Sequence, residues 1–182
     1  MTVQELSQLI SSYTVSTTIF PIEKQLFYSE NGRKTYNATI KNKVNVKGFG
    51  IYIWVNSATG EVVYIGMAGK VKTDGSICNH SLSQRLKASR ERCKETNKYI
   101  QTNDYLKNFM AAKNIDILDF YIFYTKTGEP PSYVEAVLLY NYFKRNNKLP
   151  VLNNAFWLWK TPAHNMGFAK MAGDGVYVLF CN

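Results

Sequence analysis

At 182 residues the chain has room for one compact domain with a core, or a core with decorations, and is too short for two comfortable domains. An apolar fraction of 46% with 19% charged residues excludes disorder as the default state. Lys and Arg total 22 against 13 acidic residues, a formal charge of +9, and such an excess favours an anionic partner through phosphate neutralisation and counterion release.

The opening stretch, MTVQELSQLISSY, carries an acid and several polar residues where a signal peptide needs a basic region and an apolar run. No apolar stretch approaches the ~18 residues that a membrane helix requires. Three cysteines, Cys78, Cys93 and Cys181, are odd in number and have no CxxC spacing. They read as free thiols in a reducing, cytoplasmic setting.

Within residues 3–12, Val3, Leu6, Leu9 and Ile10 fall at helical spacing and predict a short amphipathic helix. Residues 21–47 mix aromatics with Lys and Asn around a Ser29-Glu30-Asn31-Gly32 turn, which predicts a hairpin or irregular strands. Phe49–Val55 and Val62–Ile65 are rich in β-branched and aromatic residues, and Asn56-Ser57-Ala58-Thr59-Gly60 between them is turn chemistry, so a β-hairpin is expected. A glycine-bearing loop follows to about Cys78, then one helix from near His80 to Ser89 and another from near Asn97 to Lys113. Ile117–Tyr124 predicts a third strand. Ser132 stands as N-cap of a helix running to about Arg145, after the Gly128-Glu129-Pro130-Pro131 stop. Val176–Cys181 predicts a last strand. The sum is an α+β protein: a small three-stranded antiparallel sheet flanked by helices over residues 48–154. An N-terminal extension (1–47) and a C-terminal extension (155–182) packed on the core frame it.

The hairpin holds Gly50-Ile51-Tyr52 and, after eleven intervening residues, Tyr64-Ile65-Gly66. Antiparallel neighbours with two-residue alternation can aim both phenols at one patch. On the following helix Arg85 lies beside the apolar stripe, with Leu82 at i−3 and Ala88 at i+3. Glu135 interrupts an apolar run and has Leu138 and Leu139 at i+3 and i+4. A lone carboxylate in such a setting costs free energy unless it gains a partner, and a divalent cation is one. Pro150-Val151-Leu152-Asn153 follows.

Two ordered tripeptides, then an arginine helix and a glutamate helix, resemble the GIY-YIG nuclease superfamily over roughly residues 48–154. That resemblance implies a stand-alone restriction-type or phage-type endonuclease hydrolysing DNA phosphodiester bonds. Under it Tyr52 helps to take the proton of an attacking water, Tyr64 positions phosphate or water, and Arg85 neutralises charge in the transition state. Glu135 holds Mg²⁺ or Mn²⁺ at the leaving 3′-oxygen, and Asn153 orients a tyrosine or the glutamate. Lys70, Lys87 and Arg90 are the expected phosphate-tracking cations, with Lys72, Arg92 and Lys94 nearby. The pattern departs from the family at Met67, where some members have Lys, and at Ser89, where Tyr or His is common. His80 or Lys70 can supply the missing function; His164 has no motif. A catalytically inert DNA-binding protein and a nuclease for structured RNA are the competing expectations. A monomer or a homodimer is compatible with one active site per chain.

Overall fold

The structure is a computed structural model that describes residues 1–78, 80–92, 99–153, 166–170 and 177–181. In chain order its elements begin with α1 (Val3–Ile10), β1 (Thr14–Glu23), a 3-10 turn (Lys24–Tyr28) and α2 (Gly32–Lys43). The hairpin β2 (Gly50–Asn56) and β3 (Val62–Ala68) follows, then the two-residue pair β4 (Lys70–Val71) and β5 (Ile77–Cys78). Next come α3 (Leu82–Lys87), β6 (Ser89–Arg92), β7 (Tyr99–Gln101) and α4 (Thr102–Ala112). The chain then forms β8 (Ile117–Thr125), α5 (Pro131–Asn146), β9 (Met166–Lys170) and β10 (Tyr177–Cys181).

The α+β class and the central hairpin agree with the sequence reading, but the sheet has four strands. Its order is β1-β8-β2-β3, antiparallel throughout. The added strand comes from the segment expected to be an extension. β1 pairs with β8 from Thr14↔Thr125 to Glu23↔Ile117. Its β-branched run is strand-forming, and Pro21, which has no N–H to donate, is tolerated because β1 is an edge.

Residues 21–47 were expected as a hairpin or irregular strands; apart from the end of β1 they form the 3-10 turn and α2. The signal for α2 is one residue wide. Tyr36, Ile40 and Val44 recur at i, i+4 and i+8 and are buried, while the rest of the helix is polar. Two helix boundaries also differ from expectation. α5 starts with Pro131 at its first turn, and Pro130, not Ser132, is its N-cap, because a fixed proline φ is already helical and needs no N–H there. The segment from residue 97 enters β7 before α4 begins at Thr102.

Both faces of the sheet are covered. On one, Ile51, Ile53, Val62, Ile65 and Phe123 pack against Leu6 and Ile10 of α1 and Val134, Leu138 and Tyr142 of α5. On the other, Tyr52, Trp54, Phe120 and Ile122 meet Tyr36 and Ile40 of α2, Leu82 and Leu86 of α3, and Leu106 and Met110 of α4. This double burial explains why β2 reads as an almost unbroken apolar run, GIYIWVN, without the alternation of a half-exposed strand. Each fully buried Ile on it contributes roughly 1.5–3 kcal/mol relative to exposure.

β9 and β10 form a separate two-stranded ladder, Tyr177↔Lys170 to Cys181↔Met166, so the expected last strand is present. The expected packing of the C-terminal extension on the core, and His164 with it, lie outside the described residues. Among the described residues no helix is long and apolar enough to cross a membrane.

Candidate active site

Register brings the two tripeptides together. Tyr52 pairs with Gly66 and Trp54 with Tyr64, so all four share one sheet face. The rings of Tyr52 and Tyr64 lie 5.7 Å apart at 33°, and Trp54 packs on Tyr64 at 4.8 Å and on Phe120 at 5.2 Å. Gly66 makes the arrangement possible. A Cβ there would stand 2.5 Å from Tyr64 Cε1 and 2.7 Å from Tyr52 Cζ, so both phenols cross the space that a side chain would fill.

The two tyrosines differ in access. Tyr52 is fully buried and its hydroxyl is shielded from solvent, whereas Tyr64 is half-buried and borders a cavity. That cavity, about 470 Å³, is walled by Tyr64, Met67–Lys70, His80, Arg85 and Glu135. Three of the four central residues expected from sequence thus converge on one space, and Tyr52 supports Tyr64 from beneath.

Arg85 reaches the cavity from a short helix fixed at both ends. Ser81 caps α3 with a reciprocal Ser81–Gln84 box. Its Leu82 N–H donates to the Gly48 carbonyl, and the buried Tyr36 hydroxyl donates to the Leu86 carbonyl at 2.9 Å. α2 therefore holds the arginine helix in place, a connection between residues fifty positions apart that no local pattern encodes.

Glu135 projects from the first half of α5 into the cavity beside β3, where the nearby Met67 N–H favours its charged form. Burial is the main influence on it and pushes its carboxyl from 4.5 up to about 7, while the positive charge of Arg85 and the nearby Met67 N–H pull the other way. Arg85 does not close on it: among the described residues the ion pairs within 4.0 Å are Lys24–Asp116 and Arg145–Glu5. Both charges stay available to a ligand between them.

Asn153 is placed by the same strand edge. Its Nδ2 donates to the Ile65 carbonyl at 2.7 Å and its Oδ1 accepts from the Ile65 N–H at 2.9 Å, while the Leu152 N–H donates to the Val63 carbonyl. One amide side chain thus acts as a missing strand for the middle residue of Tyr64-Ile65-Gly66. Among the described residues its side-chain bonds go to Ile65, not to a phenol or to Glu135. Asn153→Asp keeps the acceptor but sets a carboxylate against the Ile65 carbonyl. It is expected to lower stability by about 1–3 kcal/mol, read as a shifted urea midpoint with an unchanged m-value.

Of the expected phosphate-tracking cations, Lys70 lines the cavity, Lys87 is half-buried on α3 outside it, and Arg90 lies on β6, where only the backbone is described. Exposed His80, which with Lys70 was an expected source of the missing function, is also a wall residue.

Among the described residues no group of three or more His, Cys, Asp or Glu gathers as a metal site. A cation here would be held by the Glu135 carboxylate with water and substrate oxygens. That donor set suits Mg²⁺, a hard ion that keeps most of its water. No family model, curated protein or solved structure matches the chain.

Proposed function

We propose that the chain is a GIY-YIG-type endonuclease that hydrolyses DNA phosphodiester bonds with Mg²⁺ or Mn²⁺. One observation carries the reading: Tyr64, Arg85 and Glu135, spread over seventy-odd positions of sequence, wall a single cavity with Tyr52 packed directly behind Tyr64.

A phosphate in that cavity meets the Arg85 guanidinium, whose planar fork suits two phosphate oxygens and opposes the negative charge that grows as the attacking oxygen bonds to phosphorus. Water attacks phosphorus, the bond to the 3′-oxygen breaks, and the products are a 5′-phosphate and a 3′-hydroxyl. Of the two phenols, Tyr64 borders the substrate space, so we assign the water-orienting, proton-accepting role to Tyr64. Tyr52 fixes its ring through the contact over Gly66. When bound at Glu135, the divalent ion supplies Lewis-acid stabilisation of charge on the phosphate oxygens. Asn153 keeps the edge of β3 in line through its two bonds to Ile65.

The test is incubation with supercoiled plasmid, a linear duplex and a folded RNA in parallel, with Mg²⁺ or with EDTA. Nicked plasmid in Mg²⁺ and none in EDTA is the expected result. Duplex binding without any nick would leave an inert DNA-binding protein, and cleavage confined to RNA would change the substrate.

A further inference from the structure

A second cavity, of about 480 Å³, opens on the same sheet face and at the same end of the sheet as the first. Its polar walls are Ser16, Thr18, Lys43, Asn45, Tyr124 and Thr125. Ser16 pairs with Tyr124 and Thr18 with Ile122, and Tyr124 and Ile122 sit opposite Gly50 and Tyr52 in β2, so the registers line these side chains up with Tyr52 and Tyr64. β2 starts at Gly50, β3 stops at Ala68 and β8 stops at Thr125, which puts both openings at one rim. Phe49 stands between them. It lines the second cavity and lies against Gly69, a wall of the first.

The chemistry of this cavity is one-sided. No carboxylate lines it. Asn45 uses its Oδ1 on the Lys47 N–H, and the Tyr124 oxygen accepts from the Asn45 N–H. Among the described residues that leaves the Asn45 Nδ2, the Tyr124 O–H and the Ser16, Thr18 and Thr125 hydroxyls as donors with no acceptor. Lys43 is exposed in the wall, and exposed Lys41 and Lys47 flank it; none of the three has a carboxylate within 4.0 Å among the described residues. Residues 32–47 hold Arg33, Lys34, Lys41, Lys43 and Lys47 and no acid. A concave cluster of donors beside unpaired cations matches a phosphate oxygen better than any neutral or cationic group.

We infer that this second cavity, between β1, β8 and the loop from α2 to β2, binds a backbone phosphate of the same DNA strand that enters the first, a few nucleotides from the bond to be cut. The inference rests on the nuclease reading for its ligand. β1 and β8 lie two to three strands from β3, about 10–15 Å at the usual strand spacing. That span corresponds to about three or four nucleotides at ~3.4 Å of rise each. α2, which also anchors α3 through Tyr36, thereby ties the flanking contact to the helix that carries Arg85.

The experiment measures binding of a fluorescent 20-base-pair duplex by anisotropy across a KCl series, with plasmid nicking read on the same preparations. Lys43→Gln with Lys47→Gln is compared with wild type and with Lys113→Gln. The last removes an exposed charge at the C-terminus of α4, three positions before Asp116, whose neighbour Ile117 begins β8 at the opposite end of the sheet. The double variant is expected to bind roughly tenfold more weakly at low salt and to lose about two from the log–log salt slope, with Lys113→Gln close to wild type. Thr18→Val, nearly isosteric, is expected to weaken binding severalfold with the salt slope kept, since it removes a donor and no charge. Wild-type affinity and slope in the double variant overturn the inference even where plasmid is nicked. A lowered slope in a protein that never nicks supports the inference and overturns the nuclease reading. A wild-type chain that binds no duplex overturns both.

Discussion

Glu135→Gln is expected to lower the rate of plasmid nicking in Mg²⁺ by on the order of 10²–10³-fold or more while making the folded protein more stable above neutral pH. The two effects have one cause. Glutamine fills the same space and keeps an amide oxygen near the Met67 N–H; what disappears is a negative charge that burial disfavours. The sign of the stability effect follows from linkage. Burial raises the folded carboxyl from 4.5 to about 7, so between those values the native state binds more protons than the unfolded chain. Stability therefore falls as pH rises through that window, and the full penalty is present above it. Discounted for the partial exposure of the side chain, the gain at pH 8 is about 1–3 kcal/mol, fading to nothing near pH 4. Urea melts of both proteins in EDTA at pH 4.5 and pH 8 measure it. Equal stability at both pH values would mean that this carboxyl titrates normally and is not held out of water.

Gly66→Ala is expected to damage fold and activity together. Its Cβ would lie 2.5 Å from Tyr64 Cε1, 2.7 Å from Tyr52 Cζ and 2.8 Å from Tyr52 Oη. Contacts this short force the rings to move, and Tyr52 has no slack because it is fully buried among Trp54 and the helices of its face. Overpacking of this kind costs about 1–3 kcal/mol. Displacing Tyr64 by about 1 Å from a cavity wall costs roughly 10²-fold in rate. The pair of readouts separates the effects: denaturation gives the first, and nicking at a temperature where the variant is fully folded gives the second. A variant with wild-type melting and nicking would show that the two phenols need no gap above Gly66.

The hairpin was legible because its signal is local. Strand-forming runs, a polar turn and two tripeptides at a fixed spacing dictate the register Tyr52↔Gly66 that stacks the phenols. Arg85 and Glu135 stood out for a related reason: each is a charged residue beside an apolar helical stripe, and the fold places both in the wall of one cavity. Other features depend on tertiary pairing. β1 carries a β-branched run, but its place in the sheet is set by β8, a hundred residues later. The thin stripe of α2 gains its meaning from Leu86 on α3. Asn153 was expected to orient a tyrosine or the glutamate. Its bond to both polar groups of Ile65 spans 88 positions and answers a need, an uncovered strand edge, that appears only once the sheet order is known.

The difference in access between the phenols was equally hidden. Composition and spacing treat Tyr52 and Tyr64 alike; the helices packed on that face, α2, α3 and α4, bury Tyr52 while Tyr64 borders the cavity.

Single-turnover cleavage of a duplex in ¹⁸O-water with Mg²⁺, followed by mass analysis of the cut ends, tests hydrolysis at this cavity most directly. One ¹⁸O atom on the 5′-phosphate, an unlabelled 3′-hydroxyl and no signal from Glu135→Gln are the expected result. Intact duplex under every metal condition, or a tyrosine joined covalently to the cut strand, would contradict it.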